Sequence, residues 1–460
     1  MNPWNGKRVL IIGAARQGLA LARFLAGHGA VVTVNDQSPA EKMAQGMAAL
    51  EGQPVEWALG GHPLDLLDSA DLVCVSGGVP LTLPIIVEAF RRGIPVTNDS
   101  QIFMDEVPCP VIGITGSAGK TTTTTLLGRM AETAVISPHT AWVGGNIGRP
   151  LIDQVGRIQP DDLVILELSS FQLELMTRSP HIAAVLNITP NHLDRHGSMQ
   201  AYAAAKTRIL TFQGKEDIAV LGREDAGSLA LARNVQGNLL TFGLGALQKG
   251  QSGTFLETGM LYFQNGQERV ALFEEERIQL RGVHNCLNVL AACALAIAAG
   301  FPFELLAKGV EGFNGVPHRL EFVREWNGSR WYNDSIATAP ERSMAAVHSF
   351  EEPLVLILGG RDKNLPWEDL ADLIHQRVDH VVIFGEAVEK IRAAIGSVRP
   401  GRRPYSLVEC ADLFEAVQAA ARVAGPGSVV LFSPGGTSYD TFTDFEERGE
   451  RFRIWVKQLS

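Results

Sequence analysis

The sequence predicts an α/β protein built from three domains. Short apolar strands alternate with helical segments along most of the chain, a pattern typical of parallel sheets covered by helices. At 460 residues the chain is too long for one hydrophobic core, since domains usually hold about 150 residues. We expect a Rossmann-like domain over 1–99, a central P-loop ATPase α/β domain over 100–315 and a Rossmann-like domain over 316–460.

The amino-terminal segment predicts a βαβ unit. Three apolar runs read as buried parallel strands, at residues 8–13, 30–36 and 71–78. The glycine loop GAARQG at 13–18 departs from a dinucleotide-binding fingerprint, because Ala15 stands where a second glycine is expected. Asp36 ends the second strand, where an acidic residue often binds a ribose or a base. The pattern therefore favours a nucleotide ligand over a hydride cofactor.

The segment GITGSAGKT at 113–121 predicts a phosphate-binding loop between a strand and a helix. Gly116 and Gly119 allow backbone N–H groups to point at phosphate oxygens, and the following helix adds its dipole. Lys120 can reach the β- and γ-phosphates, and the Thr121 hydroxyl can join a Mg²⁺ shell. The spacing is shorter than the general P-loop pattern, but the strand and helix around it favour ATP binding.

Three further side chains are candidates for the chemistry beside this loop. Glu167 ends a buried apolar strand, where a carboxylate costs desolvation unless a cation such as Mg²⁺ compensates it. His192 follows the next strand and reads as a metal ligand or a loop residue. Lys206 falls inside the apolar stripe of a helix predicted over 198–210. Its amine either snorkels to solvent or reacts with CO₂ to form a carbamate that binds Mg²⁺.

Composition and charge argue against a nucleic-acid-binding protein, a membrane-spanning protein and a cysteine metal site. The net charge of −10 argues against nucleic acid, which binds to basic surfaces. No run reaches the ~20 apolar residues of a membrane span, and the chain leads directly into a strand. The five cysteines have no metal-binding spacing. We expect a cytoplasmic monomer without a cleaved leader.

A series of motifs then resembles one family. In chain order they are ITGSAGKTTTT, GGNIGRP (144–150), ELSSFQLE, NITPNHLDRH, AAKTRIL, GVHNCLN (282–288), HRLE (318–321), NDSIAT (333–338), LGGRDK (358–363) and SPGGTSYDTFTDFEERG (433–449). Together they resemble the Mur ligases, the ATP-dependent amide-bond-forming ligases of peptidoglycan synthesis, and in particular their glutamate-adding branch. The resemblance implies three substrates: ATP, UDP-N-acetylmuramoyl-L-alanine and D-glutamate.

The resemblance also implies residue roles, motif by motif. Catalysis would involve Lys120, Glu167, His192 and Lys206. ATP would be bound by Gly116, Ser117, Ala118, Gly119, Lys120, Thr121, Thr122, Asn285, Asn288, Arg319 and Asp334. Two Mg²⁺ ions would be held by Thr121, Glu167, His192 and the carbamate of Lys206. The UDP substrate would lie against Arg16, Gln17, Asp36, Ser76 and Asn146. Glutamate would contact Thr338, Lys363, Ser438, Tyr439 and Phe445, with Arg448 near the site.

One position departs from the family pattern. Ile336 stands in NDSIAT where N-D-S-K-A-T is expected, so a cation for phosphate or the glutamate carboxylate is missing. Either a neighbour such as Lys363 or Arg361 compensates, or the amino-acid preference changes, for example to L-glutamate. Three other readings stay open: a folylpolyglutamate-type synthase, a nicotinamide-dependent oxidoreductase and a P-loop regulatory NTPase.

Overall fold

The α/β fold class is confirmed by the structure, a computed structural model that describes residues 2–280, 282–363 and 365–460. The described strands form three sheets. Contacts divide the chain into two compact units, one reaching to Phe313 and the other spanning Asn314–Ser460. The first two sheets belong to the first unit and the third to the second. The division into three domains at 99 and 315 stays a prediction.

The first sheet is entirely parallel, in the order β3-β2-β1-β4-β5. Its strands are β1 (Arg8–Ile12), β2 (Val31–Asp36), β3 (Val55–Leu59), β4 (Leu72–Val75) and β5 (Val96–Thr97). Its helices are α1 (Arg16–Gly27), α2 (Ala40–Ala49), α3 (Pro84–Arg91) and α4 (Asp99–Glu106). The predicted strands are present as β1, β2 and β4, whereas β3 and β5 were not predicted. Both lie at sheet edges and lack a long apolar run.

The second sheet has nine described strands in the order β14-β13-β12-β11-β10-β9-β6-β8-β7. They are β6 (Val111–Thr115), β7 (Ala141–Gly145), β8 (Leu163–Glu167), β9 (Ile182–Val185), β10 (Ile218–Gly222), β11 (Asn238–Leu244), β12 (Ser252–Glu257), β13 (Met260–Asn265) and β14 (Glu268–Glu274). Its helices are α5 (Lys120–Ala134), α6 (Ser170–Leu173), α7 (Leu193–His196), α8 (Met199–Thr211), α9 (Ala226–Leu229), α10 (Val283–Ala298) and α11 (Phe303–Val310). Strands β6 to β12 run parallel, and β13 and β14 add antiparallel hairpins.

The third sheet lies in the second unit, in the order β15-β16-β20-β17-β18-β19. Its strands are β15 (Glu321–Trp326), β16 (Ser329–Asn333), β17 (Leu354–Gly359), β18 (His380–Phe384), β19 (Ser406–Cys410) and β20 (Val429–Gly435). Its helices are α12 (Pro340–Val347), α13 (Glu368–Arg377), α14 (Val388–Ile395), α15 (Leu413–Val423) and α16 (Phe445–Gln458). All neighbours are parallel except β15, which pairs antiparallel with β16.

The central strands are apolar on both faces because helices cover both sides of each sheet. In β17, Leu356 and Leu358 pack into one cluster while Val355 and Ile357 pack into another on the opposite face. Ile11 of β1 alternates in the same way with its neighbours. This two-sided burial explains why such strands were recognisable as continuous apolar runs. It also leaves the strand ends as the natural place for polar side chains.

Two composition-based expectations can be compared with the structure. All five cysteines are present as free thiols, and Cys74, Cys286 and Cys293 are buried, as is usual for a cysteine inside an apolar run. Among the helices of the described residues, none combines the length and apolarity that crossing a bilayer requires.

Candidate active site

The phosphate-binding loop connects β6 to α5, as the sequence predicts. The strand following it in space, β9, leads into a segment that holds the loop in shape. Asn187 accepts a hydrogen bond from the Ser117 backbone N–H on its carbonyl oxygen (3.0 Å). Its side-chain Oδ1 accepts from the Ala118 N–H (2.8 Å), and its Nδ2 donates back to the Ala118 carbonyl (3.2 Å). The loop is therefore preorganised by its neighbour strand before any ligand binds.

Gly119 is required where the loop turns into α5. Its φ of +83° lies in the left-handed region that favours glycine. A Cβ atom there would also overlap Oδ1 of Asn288 on α10. Asn288 is buried and donates from Nδ2 to Oδ1 of Asn285 (3.1 Å). The predicted ATP residues Asn285 and Asn288 therefore lie against the first turn of the P-loop helix.

Two lysines meet at the same backbone oxygen. Nζ of Lys120 and Nζ of Lys206 each donate to the Gly116 carbonyl at 2.9 Å. Lys206 also lies 4.7 Å from the Tyr202 ring centre and is 1% exposed. Burial and the Lys120 cation lower the pKa of Lys206, Glu167 opposes them, and the resulting pKa is about 7. The prediction that Lys206 lies in an apolar stripe is therefore correct, and its amine does not snorkel to solvent.

Glu167 lies at the same edge of the sheet. Strand register places it beside Ile114 of β6, immediately before the loop. Its carboxylate is 2% exposed; Oε1 accepts from Nδ2 of Asn146 (2.9 Å), whereas Oε2 is buried without a hydrogen-bond partner. A carboxylate oxygen buried in this way is costly unless a cation compensates it. Glu167 therefore fits the predicted role of a Mg²⁺ ligand.

His192 occupies the turn before α7. Its φ of +53° is unusual for a residue other than glycine, and its ring lies 5.2 Å from that of Phe171. No group of three or more His, Cys, Asp or Glu side chains forms a ready-made metal site within the part of the chain that is described. The Mg²⁺ ligand set of Thr121, Glu167, His192 and Lys206 stays a prediction.

The residues predicted to hold the UDP substrate lie around β1 and β2. Arg16 at the start of α1 is exposed. Gln17 donates from Nε2 to the Gly145 carbonyl (3.3 Å), next to the predicted substrate residue Asn146. Ser76 is buried and donates to the Gly13 carbonyl (2.7 Å). Its hydroxyl therefore holds two strand-end loops together.

The Asp36 carboxylate also stabilises the loop that it follows. It accepts from the backbone N–H of Ala14 (2.9 Å) and of Ser38 (2.8 Å). Burial raises the pKa of Asp36, but these hydrogen bonds outweigh burial and the net pKa is lowered. The side chain is therefore ionised at neutral pH and holds the loop near Ala15 in shape.

In the second unit, polar residues cluster at the carboxyl ends of β16, β20 and β17, which are adjacent and parallel. Asp334 follows β16 and is buried; it accepts from the Ser433 hydroxyl (2.7 Å) and the Leu320 N–H (3.2 Å). Burial raises the pKa of Asp334, both hydrogen bonds and the nearby Arg319 lower it, and the resulting pKa is about 7. Asp334 and Arg319, two predicted ATP residues, are therefore neighbours.

The predicted glutamate residues lie on the same loops. Nζ of Lys363 is 3.4 Å from Oγ1 of Thr338. Ser438 is buried, whereas Tyr439 is 62% exposed. Phe445 begins α16, and its carbonyl accepts from the hydroxyl of Ser335. The second unit thus brings Thr338 and Lys363 together, and Tyr439 extends into solvent.

Arg448 has a structural position in this cluster. It is fully buried and donates to the hydroxyl (3.0 Å) and carbonyl (2.8 Å) of Ser335 and to the Gly436 carbonyl (3.0 Å). Burial lowers the pKa of Arg448 to about 10, and Asp440 opposes this shift. The guanidinium therefore connects α16 to the loops that follow β16 and β20.

Comparison with known proteins identifies the family. Residues 7–98 match the Mur ligase MurD-like amino-terminal domain, 114–296 the Mur ligase middle domain, and 318–436 the Mur ligase glutamate ligase domain. The UDP-N-acetylmuramoylalanine--D-glutamate ligase of Symbiobacterium thermophilum is 40% identical over 99% of this chain and 98% of its own. The protein of the same name from Geobacter metallireducens is 39% identical over 99% and 98%.

The chain belongs to the Mur ligase family. Solved structures of other Mur ligases share the fold of this one. UDP-N-acetylmuramate-alanine ligase MurC from Thermotoga maritima aligns over 98% of this chain and 99% of its own, with 22% identity and a TM-score of 0.56. The pseudomurein peptide ligase type C of Methanothermus fervidus aligns over 99% and 100%, with 18% identity and a TM-score of 0.53.

The structure of this Mur ligase reveals site residues that sequence reasoning missed. The Tyr202 hydroxyl donates to Oγ of Ser117 (2.9 Å) and so connects α8 to the phosphate-binding loop. His196 contacts Oγ of Ser170 through Nε2 (2.9 Å) and Oε1 of Glu174 through Nδ1 (3.0 Å). Both contacts join α6 to the end of α7. The sequence contained only weak signals for Tyr202 and His196. The residues that they contact are distant in the chain, and none of them belongs to a residue type that by itself indicates a site.

Proposed function

We propose that this Mur ligase adds D-glutamate to UDP-N-acetylmuramoyl-L-alanine and couples amide-bond formation to the cleavage of ATP into ADP and phosphate. The observation that carries the reaction class is the meeting of Lys120, Lys206 and Glu167 at the end of β6 and β8. Such an arrangement suits phosphoryl transfer, in which catalysis consists mainly of positioning and charge neutralisation. The substrate identities come from the full-length relatives that carry this activity in their names.

The first step would activate the L-alanyl carboxylate. A carboxylate oxygen attacks the γ-phosphorus of ATP and ADP leaves, which yields an acyl phosphate. Lys120 stabilises the charge on the transferring oxygens, and the loop N–H groups orient the phosphates. Bound Mg²⁺ would supply further charge neutralisation, and Thr121 and Glu167 are the residues proposed to hold it. Asn146, which contacts Glu167, would position the UDP substrate.

The second step would form the amide bond. The neutral amine of glutamate attacks the acyl carbon, the tetrahedral intermediate expels phosphate, and the nitrogen loses a proton. Thr338 and Lys363 are proposed to orient the amino acid, with Ser438, Tyr439 and Phe445 on the same loops. Asn285, Asn288, Arg319 and Asp334 are proposed to position ATP.

Lys206 is proposed to act as a carbamate. An amine with a pKa of about 7 is substantially neutral at physiological pH, and only the neutral form attacks CO₂. The reaction joins nitrogen to carbon and releases one proton, so the product carries a negative charge. That charge would lie close to the Lys120 ammonium and would add oxygen ligands for a second Mg²⁺.

The test is phosphate release from ATP and Mg²⁺ with UDP-N-acetylmuramoyl-L-alanine, comparing D-glutamate, L-glutamate and no amino acid. We expect release to require both acceptor substrates and to favour D-glutamate. With a preference for L-glutamate, the assignment as a ligase would stand, and Ile336 would be the proposed cause of the changed amino-acid specificity. Release that ignores the UDP-sugar would contradict the proposal.

Lys120→Ala provides a matched variant for the same assay. We expect its turnover to fall by at least about a hundredfold, because a donor to developing negative charge is lost. The fold should be retained, since the Lys120 side chain is only partly buried and the Gly116 carbonyl keeps its hydrogen bond from Lys206. Near-normal turnover of Lys120→Ala would contradict a role of the phosphate-binding loop in the mechanism.

A further inference from the structure

Positive charge gathers at the carboxyl edge of the sheet in the second unit. Arg319 follows the turn before β15, Arg342 lies in the first turn of α12, and Lys363 follows β17. These three side chains belong to residues that reach solvent. Asp334 and Glu341 offset part of this positive charge, and a bound anion would offset more of it. The arrangement therefore indicates an oxyanion site.

Arg342 has no assigned role and faces the loop after β16. Its Nη1 lies 3.4 Å from the carbonyl oxygen of Ile336, and no ion pair engages it within the described ranges. Packing lowers the pKa of Arg342, Arg319 lowers it further, and Asp334 and Glu341 oppose the shift. The guanidinium is thus a cation within reach of both Arg319 and Asp334.

Arg342 also has an electrostatic connection to the proposed glutamate residues. Burial lowers the pKa of Lys363, and the cations Arg342 and Arg448 lower it further. The Ile336 carbonyl that Arg342 contacts lies in the chain between Asp334, proposed for ATP, and Thr338, proposed for glutamate. An anion bound to either set would approach its guanidinium.

The other cations of this edge are already engaged. Arg361 forms a two-point ion pair with Glu386, from Nε to Oε2 (2.7 Å) and from Nη2 to Oε1 (2.9 Å). Arg448 is buried against Ser335 and Gly436. Compensation for Ile336 by Arg361, which the sequence left open, is therefore not supported by the geometry.

We propose that Arg342 binds an oxyanion substrate group and supplies the positive charge that residue 336 does not provide in this chain. The group is either a phosphoryl oxygen of ATP or a carboxylate of the incoming glutamate, an identification that rests on the proposed function. A guanidinium suits this role because its planar fork binds phosphate or carboxylate through two parallel hydrogen bonds. The donation to the Ile336 carbonyl orients it without neutralising its charge.

The experiment is calorimetric titration of the full-length protein with ADP·Mg²⁺ and, separately, with D-glutamate in the presence of ADP. Wild type is compared with Arg342→Ala, Arg342→Lys, Arg342→Ala combined with Ile336→Lys, and Arg402→Ala. Arg402 is an exposed arginine outside this cluster and serves as the matched control. Thermal midpoints of all variants report on the fold.

We expect Arg342→Ala to weaken one ligand by about ten- to a hundredfold, as for a lost charge-assisted hydrogen bond. The ligand whose affinity falls is the one whose phosphate or carboxylate binds to Arg342. Arg342→Lys should lose less affinity than Arg342→Ala. Adding Ile336→Lys to Arg342→Ala should restore part of the lost affinity, and Arg402→Ala should bind both ligands as wild type does. A merely structural role would lower the thermal midpoint and would not be rescued by Ile336→Lys.

Three outcomes overturn the inference: unchanged affinity of Arg342→Ala for both ligands, equal weakening by Arg402→Ala, or a wild-type protein that binds neither ligand. Failure of this inference can be distinguished from failure of the proposed function. If Arg342-dependent binding is present but phosphate release ignores the UDP-sugar, the proposed function fails and the oxyanion site stands. If ligation is normal in Arg342→Ala with unchanged KM values, the inference fails alone.

Discussion

At the scale of single residues, the site depends on ionisable side chains that are buried, Lys206 and Glu167. Lys206 lies beside Lys120 at one carbonyl oxygen, where a second full ammonium is unfavourable. Glu167 contributes a buried carboxylate oxygen without a protein partner. Buried ionisable groups are frequent at functional sites, where a bound ligand or a modification can offset the energetic cost of their burial.

The carbamate proposal predicts the effect of changing Lys206. Lys206→Met is a neutral substitute of similar length and should reduce turnover by at least about a hundredfold if an anionic ligand is required. It should not lower the thermal midpoint, because it removes the cost of burying an amine. Lys206→Glu, which retains a carboxylate, should keep more activity. Carbon-13 NMR with labelled bicarbonate would detect the carbamate in wild type, and near-normal turnover of Lys206→Met would contradict the proposal.

Asp334 predicts a pH-dependent stability. Its folded-state pKa of about 7 lies above the ordinary value of 3.8. The folded state therefore keeps a proton that the unfolded state has released, and the associated stability is full below about pH 4 and is lost as pH rises through 7. Wild type should lose roughly 2 kcal/mol or more relative to Asp334→Asn between pH 5 and pH 8. Thermal midpoints at both pH values measure this, and a constant difference would contradict it.

At the scale of elements, the phosphate-binding loop is shaped by its neighbours. Asn187 after β9 pairs with the Ala118 backbone on both sides, and Tyr202 of α8 donates to Ser117. Asn288 of α10 packs against Gly119. The short turn 116–119 is therefore held by three separate elements, which explains how a loop shorter than the general P-loop pattern keeps one conformation.

Gly119→Ala should weaken ATP binding and lower stability for two reasons, a positive φ and an overlap with Asn288. The expected cost is about 1–3 kcal/mol. Gly250→Ala is the matched control, because Gly250 has a φ of +90° but open space around it. Thermal midpoints should therefore fall further for Gly119→Ala than for Gly250→Ala. Equal shifts would show that the contact with Asn288 costs nothing.

At the scale of the whole molecule, the chain forms two compact units that each carry their own cores. The unit spanning Asn314–Ser460 contains a complete sheet with one apolar cluster on each face. Its strand β16 lies inside the sheet, between β15 and β20. We therefore expect this unit to fold independently, because it contains its own sheet and its own buried apolar clusters.

A fragment of residues 314–460 should fold alone and give one cooperative thermal transition. A fragment of residues 340–460 should not, because removal of β15 and β16 exposes an edge of β20 and part of the core around Trp331 and Tyr332 is lost. Circular dichroism during heating measures both. A 314–460 fragment without a cooperative transition would contradict the expectation.

The sequence by itself determined the fold class, the buried strands and the local motifs. These signals are local: apolar runs identify β1, β6, β8 and β17, and the loop at 113–121 is recognisable because its strand, glycines and helix are contiguous. The apolar stripe containing Lys206 was also visible in the sequence, but whether its amine reaches solvent was left open. Edge strands such as β3 and β19 escaped notice because they are short and only partly buried.

Only the tertiary structure decided which distant side chains meet. The shared carbonyl of Lys120 and Lys206, the orphan oxygen of Glu167 and the approach of Arg342 to Ile336 join residues from different elements. No local pattern encodes such contacts, since parallel strands bring together loops that are far apart in the chain. The pKa values follow the same logic, because desolvation and neighbouring charge exist only after the sheet has formed.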